Sequence, residues 1–192
     1  MIRIGILGDI GSGKTYVANN FGYPVFNADH EVSKLYKKDK KTFNKLKKIL
    51  PKYFTSFPIK KSQVSKAILA NRNNLRKIVK IVHLEIRKKM NIFIKKNKNK
   101  KIIILDIPLL LENKINKKND VLIFVKSQRS EILKRLKNRE SFNKNLLNEF
   151  KNIQLPLDYK KKKSTFIIKN NFKKKSVRKD IKNILKNFRW KK

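Results

Sequence analysis

The densest chemistry in the chain lies near its start, in Gly8-Asp9-Ile10-Gly11-Ser12-Gly13-Lys14-Thr15. Gly8, Gly13, Lys14 and Thr15 meet the Gly-x4-Gly-Lys-Ser/Thr spacing of a Walker A loop, and Gly11 and Ser12 stand inside it. Glycines there permit positive φ and close backbone approach, so successive N–H groups curl around a phosphate where a Cβ would collide with it. A helix opening near Gly13 adds the positive end of its dipole. Lys14 supplies a compact charge for β- and γ-phosphates, and the Thr15 hydroxyl suits one position of an octahedral Mg2+ shell. Asp9 would repel a bound triphosphate, so it is expected to point outward.

Two carboxylates and two arginines complete the candidates. Asp29 follows the short apolar run Val25-Phe26. It either orients an attacking hydroxyl or caps the helix it begins, and its position alone leaves both open. Asp106 closes the apolar run Ile102–Leu105 and reads equally as a Mg2+ carboxylate or a turn cap. Arg135 and Arg139 are spaced i, i+4 on a helical stretch, hence on one face, where they either neutralise a transferred group or form an ordinary basic surface. His83, near the apolar face of its helix, reads as a packed histidine rather than a catalytic one.

These residues need strands and helices to bring them together. Ile2–Leu7, Val25–Phe26, Ile102–Asp106, Val121–Val125 and Phe166–Ile168 are short, apolar and rich in β-branched residues, the pattern of buried parallel strands. Helical spacing is predicted over 13–21, 29–36, 40–50, 62–70, 73–94, 128–138, 143–153 and 176–188. The long stretch at 73–94 carries Leu75, Ile78, Val79, Val82 and Ile86 on one face. Strands alternating with helices imply an α/β fold, a parallel five-stranded sheet with helices on both faces. Gly8, Asp29 and Asp106 then fall at carboxyl ends of strands, where such sheets bind ligands.

Composition sets the outer bounds. The 192 residues, 40% of them hydrophobic, fit one domain with a real core. The absence of cysteine excludes disulfides and thiolate metal sites and favours a cytoplasmic address. No apolar run approaches a membrane span, and the first residues leave no room for a signal peptide. The formal charge is +39, yet residues 1–36 hold three basic and three acidic side chains, so the excess lies beyond Tyr36. It is spread along stretches such as Arg87–Lys101, where eight of fifteen residues are basic. Diffuse charge of this kind implies non-specific polyanion binding without a recognition element.

With these residues in view, the chain resembles the dephospho-coenzyme A kinases over nearly its whole length. The resemblance rests on the glycine loop, on Pro24-Val25-Phe26-Asn27-Ala28-Asp29, on Leu105-Asp106-Ile107-Pro108-Leu109-Leu110-Leu111-Glu112, and on Leu133-Lys134-Arg135-Leu136-Lys137-Asn138-Arg139. Gln154 and Asn170 also match. It implies a P-loop kinase with a core at about 1–36 and 100–192, a helical acceptor-binding insertion at about 37–99, and a lid at about 128–160. It implies ATP and Mg2+, dephospho-coenzyme A as acceptor, Asp29 at the ribose 3′-hydroxyl, Arg135 and Arg139 closing over phosphates, and Tyr16 and Asn170 among the nucleotide contacts. No membrane or specific nucleic-acid partner is implied, and a monomer or weak homo-oligomer is expected. Another P-loop nucleoside or nucleotide kinase would share this core, and a nucleic-acid-binding NTPase would exploit the charge. Four positions depart from the family pattern: Asn27 for an acid, Tyr16 for a threonine, Leu84 for a proline, and Phe172 for a glycine.

Overall fold

Ile2–Gly8, apolar but for Arg3, forms strand β1, with every residue after Ile2 buried. The structure, a computed structural model, describes residues 1–139 and 142–188. After β1 come helix α1 (Lys14–Asn19), β2 (Val25–Asn27), and helices α2 (Ala28–Lys38), α3 (Lys40–Ile49), α4 (Lys61–Ala70) and α5 (Arg72–Lys96). The chain continues through β3 (Ile102–Asp106), β4 (Val121–Lys126), α6 (Arg129–Lys137), α7 (Lys144–Asn152), α8 (Leu157–Lys163), β5 (Phe166–Lys169) and α9 (Lys174–Lys186). The tail from Arg189 onward lies outside the described residues.

All five strands pair in parallel, in the order β2-β3-β1-β4-β5. The chain adds strands on one side of β1 and then on the other, so the strand order reverses at β1 and opens a crevice at its carboxyl end. On one face, Ile4, Ile6, Ile102, Ile104, Ile123, Val125 and Ile168 pack with Val17 and Ala18 from α1, with Phe21 just beyond it, and with Val177, Ile181 and Ile184 from α9. The opposite residues, Leu7, Ile103, Leu105, Leu122 and Phe124, are buried too, as a parallel sheet requires.

The contacts divide the chain into two compact units, 1–27 with 97–142 and 154–192, and 28–96 with 143–153. The sheet lies in the first. Compared with the expected partition, α2 and α7 both join the helical unit, because each packs on helices: α2 on α3 and α5, α7 on α4. Within that unit α5 buries Leu75, Ile78, Val82, Ile86 and Met90, and Phe54 is fully enclosed. Glu31 pairs with Lys34 and Lys89, and Glu85 with Lys45 and Lys88.

Helix α8 is absent from the sequence-based prediction. Its residues, Leu-Asp-Tyr-Lys-Lys-Lys-Lys, carry no apolar periodicity because the buried position is a lysine, Lys160, only 1% exposed.

Candidate active site

The loop after β1 takes the shape its glycines permit. Gly8, Gly11 and Gly13 all have positive φ, at 146°, 85° and 85°. Gly13 caps α1 in the left-handed region, so the first amides of α1 open toward the loop. A Cβ on Gly13 would collide with Asn170 Nδ2 and lie 2.9 Å from Phe172 Cε1, so glycine is required for packing as well as for φ. The Lys14 ammonium spans the loop and donates to the carbonyls of Asp9 at 2.8 Å and Gly8 at 3.3 Å. Asp9 turns its carboxylate back onto the Ile10 N–H at 2.7 Å.

Across the crevice Thr15 Oγ1 donates to Asp106 Oδ2 at 2.6 Å. Strand register explains the encounter: Asn27 ends β2 directly opposite Asp106 at the end of β3. The Asn27 amide donates to the same Asp106 oxygen at 2.6 Å and lies 3.4 Å from Thr15 Oγ1. A hydroxyl, a carboxylate and an amide thus share one point, and Asp106 is 3% exposed. Thr15 and Asp106 offer the hard oxygens that Mg2+ prefers, and one or two protein ligands suffice where phosphates and waters complete the shell. Among the described residues no cluster of three or more His, Cys, Asp or Glu could hold a metal without such help.

Behind the loop the Ser12 carbonyl accepts from Asn170 Nδ2 at 2.8 Å and from Ser127 Oγ at 2.9 Å. Asn170, 2% exposed, therefore braces the loop's backbone from beneath. Helix α6 packs on the loop at Gly11, where a Cβ would come within 3.1 Å of both Ile132 and Leu136. Arg135, on the same helix, holds its guanidinium 4.1 Å from the centre of the Phe172 ring.

Three expectations need correction or relocation. Arg139 does not share a helical face with Arg135: α6 ends at Lys137, and the Arg139 N–H bonds the Leu136 carbonyl at 3.2 Å in a tighter turn. The cause is Asn138 as C-cap and the lack of any apolar residue from 137 to 141 to hold another turn on the core. Tyr16 packs against the hydrophobic cluster on one face of the sheet, partly buried, instead of standing wholly in the crevice. Asp29 lies exposed within the first turn of α2 rather than at a cap, and belongs to the helical unit, as does the half-buried His83.

Similarity to known proteins agrees with this geometry. The family model described as dephospho-CoA kinase matches residues 2–176. The chain is 35% identical over 187 residues to the dephospho-CoA kinase of Wolbachia pipientis wMel, with 95% of each chain covered. It is 32% identical over 192 residues to that of Rickettsia typhi, with 97% of each covered. The chain belongs to the dephospho-CoA kinase family. Among solved structures, a Thermus thermophilus protein superposes with a TM-score of 0.75 at 23% identity, covering 97% of both chains. The dephospho-CoA kinase of Campylobacter jejuni gives 0.55 at 22% identity over 96% of both. At these identities the likeness speaks for the fold.

Within this dephospho-CoA kinase family member, the segment after Asp106 is anchored by charge. Glu112 Oε1 accepts from Lys160 Nζ at 2.6 Å and from the Leu155 N–H at 3.0 Å, while Gln154 Oε1 accepts from the same ammonium at 3.0 Å. Glu112 Oε2 is buried without a hydrogen-bond partner among the described residues. Glu112 and Gln154 match the family in sequence without a role attached, and nothing in the sequence marks Lys160 or Ser127. Four consecutive lysines hid the one that faces inward. Asn27 was noticed only as a departure from an acid, because its partner lies 79 residues away and only strand register joins them.

Proposed function

We propose that this protein transfers the γ-phosphoryl group of ATP to the ribose 3′-hydroxyl of dephospho-coenzyme A, giving coenzyme A and ADP. The observation that carries the reading is the glycine loop whose Thr15 hydroxyl meets Asp106 at 2.6 Å at the mouth of a parallel sheet, in a chain matched by its family from residue 2 to 176.

In this reading the amides of residues 8 to 16 hold the β- and γ-phosphates, and Lys14 leaves its carbonyl partners to neutralise charge on the transferred group. Thr15 and Asp106 would hold Mg2+, which when bound would supply positive charge against the phosphates. Asn27 fixes the Asp106 carboxylate. Asp29 orients the 3′-hydroxyl and accepts its proton late, as suits a weak base in a loose transition state. The P–O bond to the ADP leaving group breaks while the bond to the 3′ oxygen forms. Arg135 contacts the bound nucleotide from α6, Arg139 reaches its phosphates from the turn beyond, and Asn170 supports the loop. The reading takes a cytoplasmic enzyme, monomeric or weakly self-associating, with no membrane or specific nucleic-acid partner.

The test is ADP release with dephospho-coenzyme A beside a panel of nucleosides, nucleoside monophosphates and shikimate, for the wild type and Asp29→Asn. Turnover of dephospho-coenzyme A alone, with kcat lowered about 10²- to 10³-fold by the substitution, is the expected result. Preference for a nucleoside would overturn the acceptor assignment, and an unaffected Asp29→Asn would remove Asp29 from the chemistry.

A further inference from the structure

Phe172 has φ of 62°, a left-handed conformation that glycine adopts freely and a bulky L-residue rarely does. Its N–H donates to Asn170 Oδ1 at 2.9 Å, so the turn is set by the same asparagine whose amide braces Ser12. Glycine would fit this turn with less strain. The phenyl ring must therefore supply something glycine lacks, and two contacts say what: its edge closes against Gly13, and its face lies 4.1 Å beneath the Arg135 guanidinium. Arg135 is exposed and the ring is half-buried, so the ring holds a long, mobile cation beside the phosphate loop. Ile132 and Leu136 seat the same helix on Gly11, which gives α6 a second fixed point on that loop.

We propose that Phe172 is a positioning residue for nucleotide binding: its ring pre-orients Arg135 beside the phosphate loop. The inference rests on the reading of Arg135 as a nucleotide contact. Phe172 acts only through that guanidinium, so its loss should weaken ATP affinity while the acceptor's KM stays as it is.

The experiment is calorimetric titration of ATP into the full-length protein, with KM for both substrates and thermal melts alongside. Phe172→Leu keeps apolar bulk against Gly13 and removes the π face. It should weaken ATP binding about two- to fivefold, the scale of an exposed cation–π pair, with Phe172→Tyr restoring it. Phe172→Gly relieves the backbone, so it should show the same weakening without a lower melting temperature. The double variant Phe172→Leu/Arg135→Ala should bind no more weakly than Arg135→Ala alone. Weakened binding in Arg135→Ala with wild-type affinity in both Phe172→Leu and Phe172→Gly would overturn the proposal and leave Arg135 in place. Wild-type affinity in Arg135→Ala would instead remove the reading on which the proposal stands.

Discussion

Lys14 donates to two carbonyls of its own part-buried loop and is no part of the apolar core, so its removal takes a charge from the site and leaves the core packing in place. Lys14→Ala should keep the wild-type melting temperature and lose kcat/KM by roughly 10²- to 10³-fold, measured by the same ADP-release assay. Asn27 presents a different case. Its neutral amide tolerates contact with Asp106 at 2.6 Å, whereas a second carboxylate there would force one of the pair to hold a proton. Asn27→Asp should therefore lose stability from pH 5 to pH 8 in metal-free buffer, by about 1–2 kcal/mol more than the wild type, in thermal melts. The Walker loop was legible in sequence because its glycines, lysine and threonine are contiguous and their chemistry is local. The Asn27–Asp106 contact was not, since nothing in either segment states the register that joins them.

Helix α8 shows where periodicity fails as a guide to elements. Lys160 occupies the inward position of a helix that otherwise reads as a solvated basic run, and the carboxylate of Glu112, 48 positions earlier in sequence, makes that burial tolerable together with the Gln154 amide oxygen. Lys160→Met alone leaves the Glu112 carboxylate buried and unpaired, a loss of roughly 3–5 kcal/mol expected in chemical denaturation. The double variant Glu112→Gln/Lys160→Met should recover most of it, to within about 1–2 kcal/mol of the wild type, because no uncompensated charge remains. The helical unit carries the opposite kind of pair. Hydrogen bonding from Lys45, opposed in part by desolvation and reinforced by Lys88, holds the Glu85 carboxyl below its ordinary value. A carboxyl depressed on folding adds stability above its unfolded value of about 4.5 and loses it as pH falls through the lower folded value. Glu85→Gln should cost about 0.5 kcal/mol at pH 7, the scale of a surface pair, and progressively less as pH falls below the unfolded value, read by urea denaturation across that range. The strands and α5 were legible because their apolar positions repeat at the right period. The end of α6 at Lys137 falls within a residue of the expected 138; what i, i+4 counting does not show is that the Asn138 cap takes Arg139 off the helical face.

Across the whole molecule, the charge of +39 is the feature that sequence overstates most easily. The sheet unit draws its site from Gly8–Thr15, Asn27, Asp106, Ser127, Arg135 and Asn170, in which the cations are few and placed, while most lysines lie on exposed helix surfaces. Among the described residues no helix is long and apolar enough to cross a membrane. Parallel topology was accessible from the alternation of short strands and helices with a phosphate loop at the first turn, and the family from the motifs strung along the chain, but the strand order was not: β2 lies beside β3 rather than β1. The division of the helices was only partly accessible, because α7 lies far from α4 in sequence yet packs on it. The site of phosphorylation is the most direct test of the proposed activity: the purified protein is incubated with ATP, Mg2+ and dephospho-coenzyme A, and the product is analysed by mass spectrometry and phosphorus NMR. A single new phosphomonoester on the ribose 3′ oxygen, absent with Lys14→Ala, is the expected result. Unchanged dephospho-coenzyme A, under conditions where the same preparation phosphorylates a nucleoside, would contradict it.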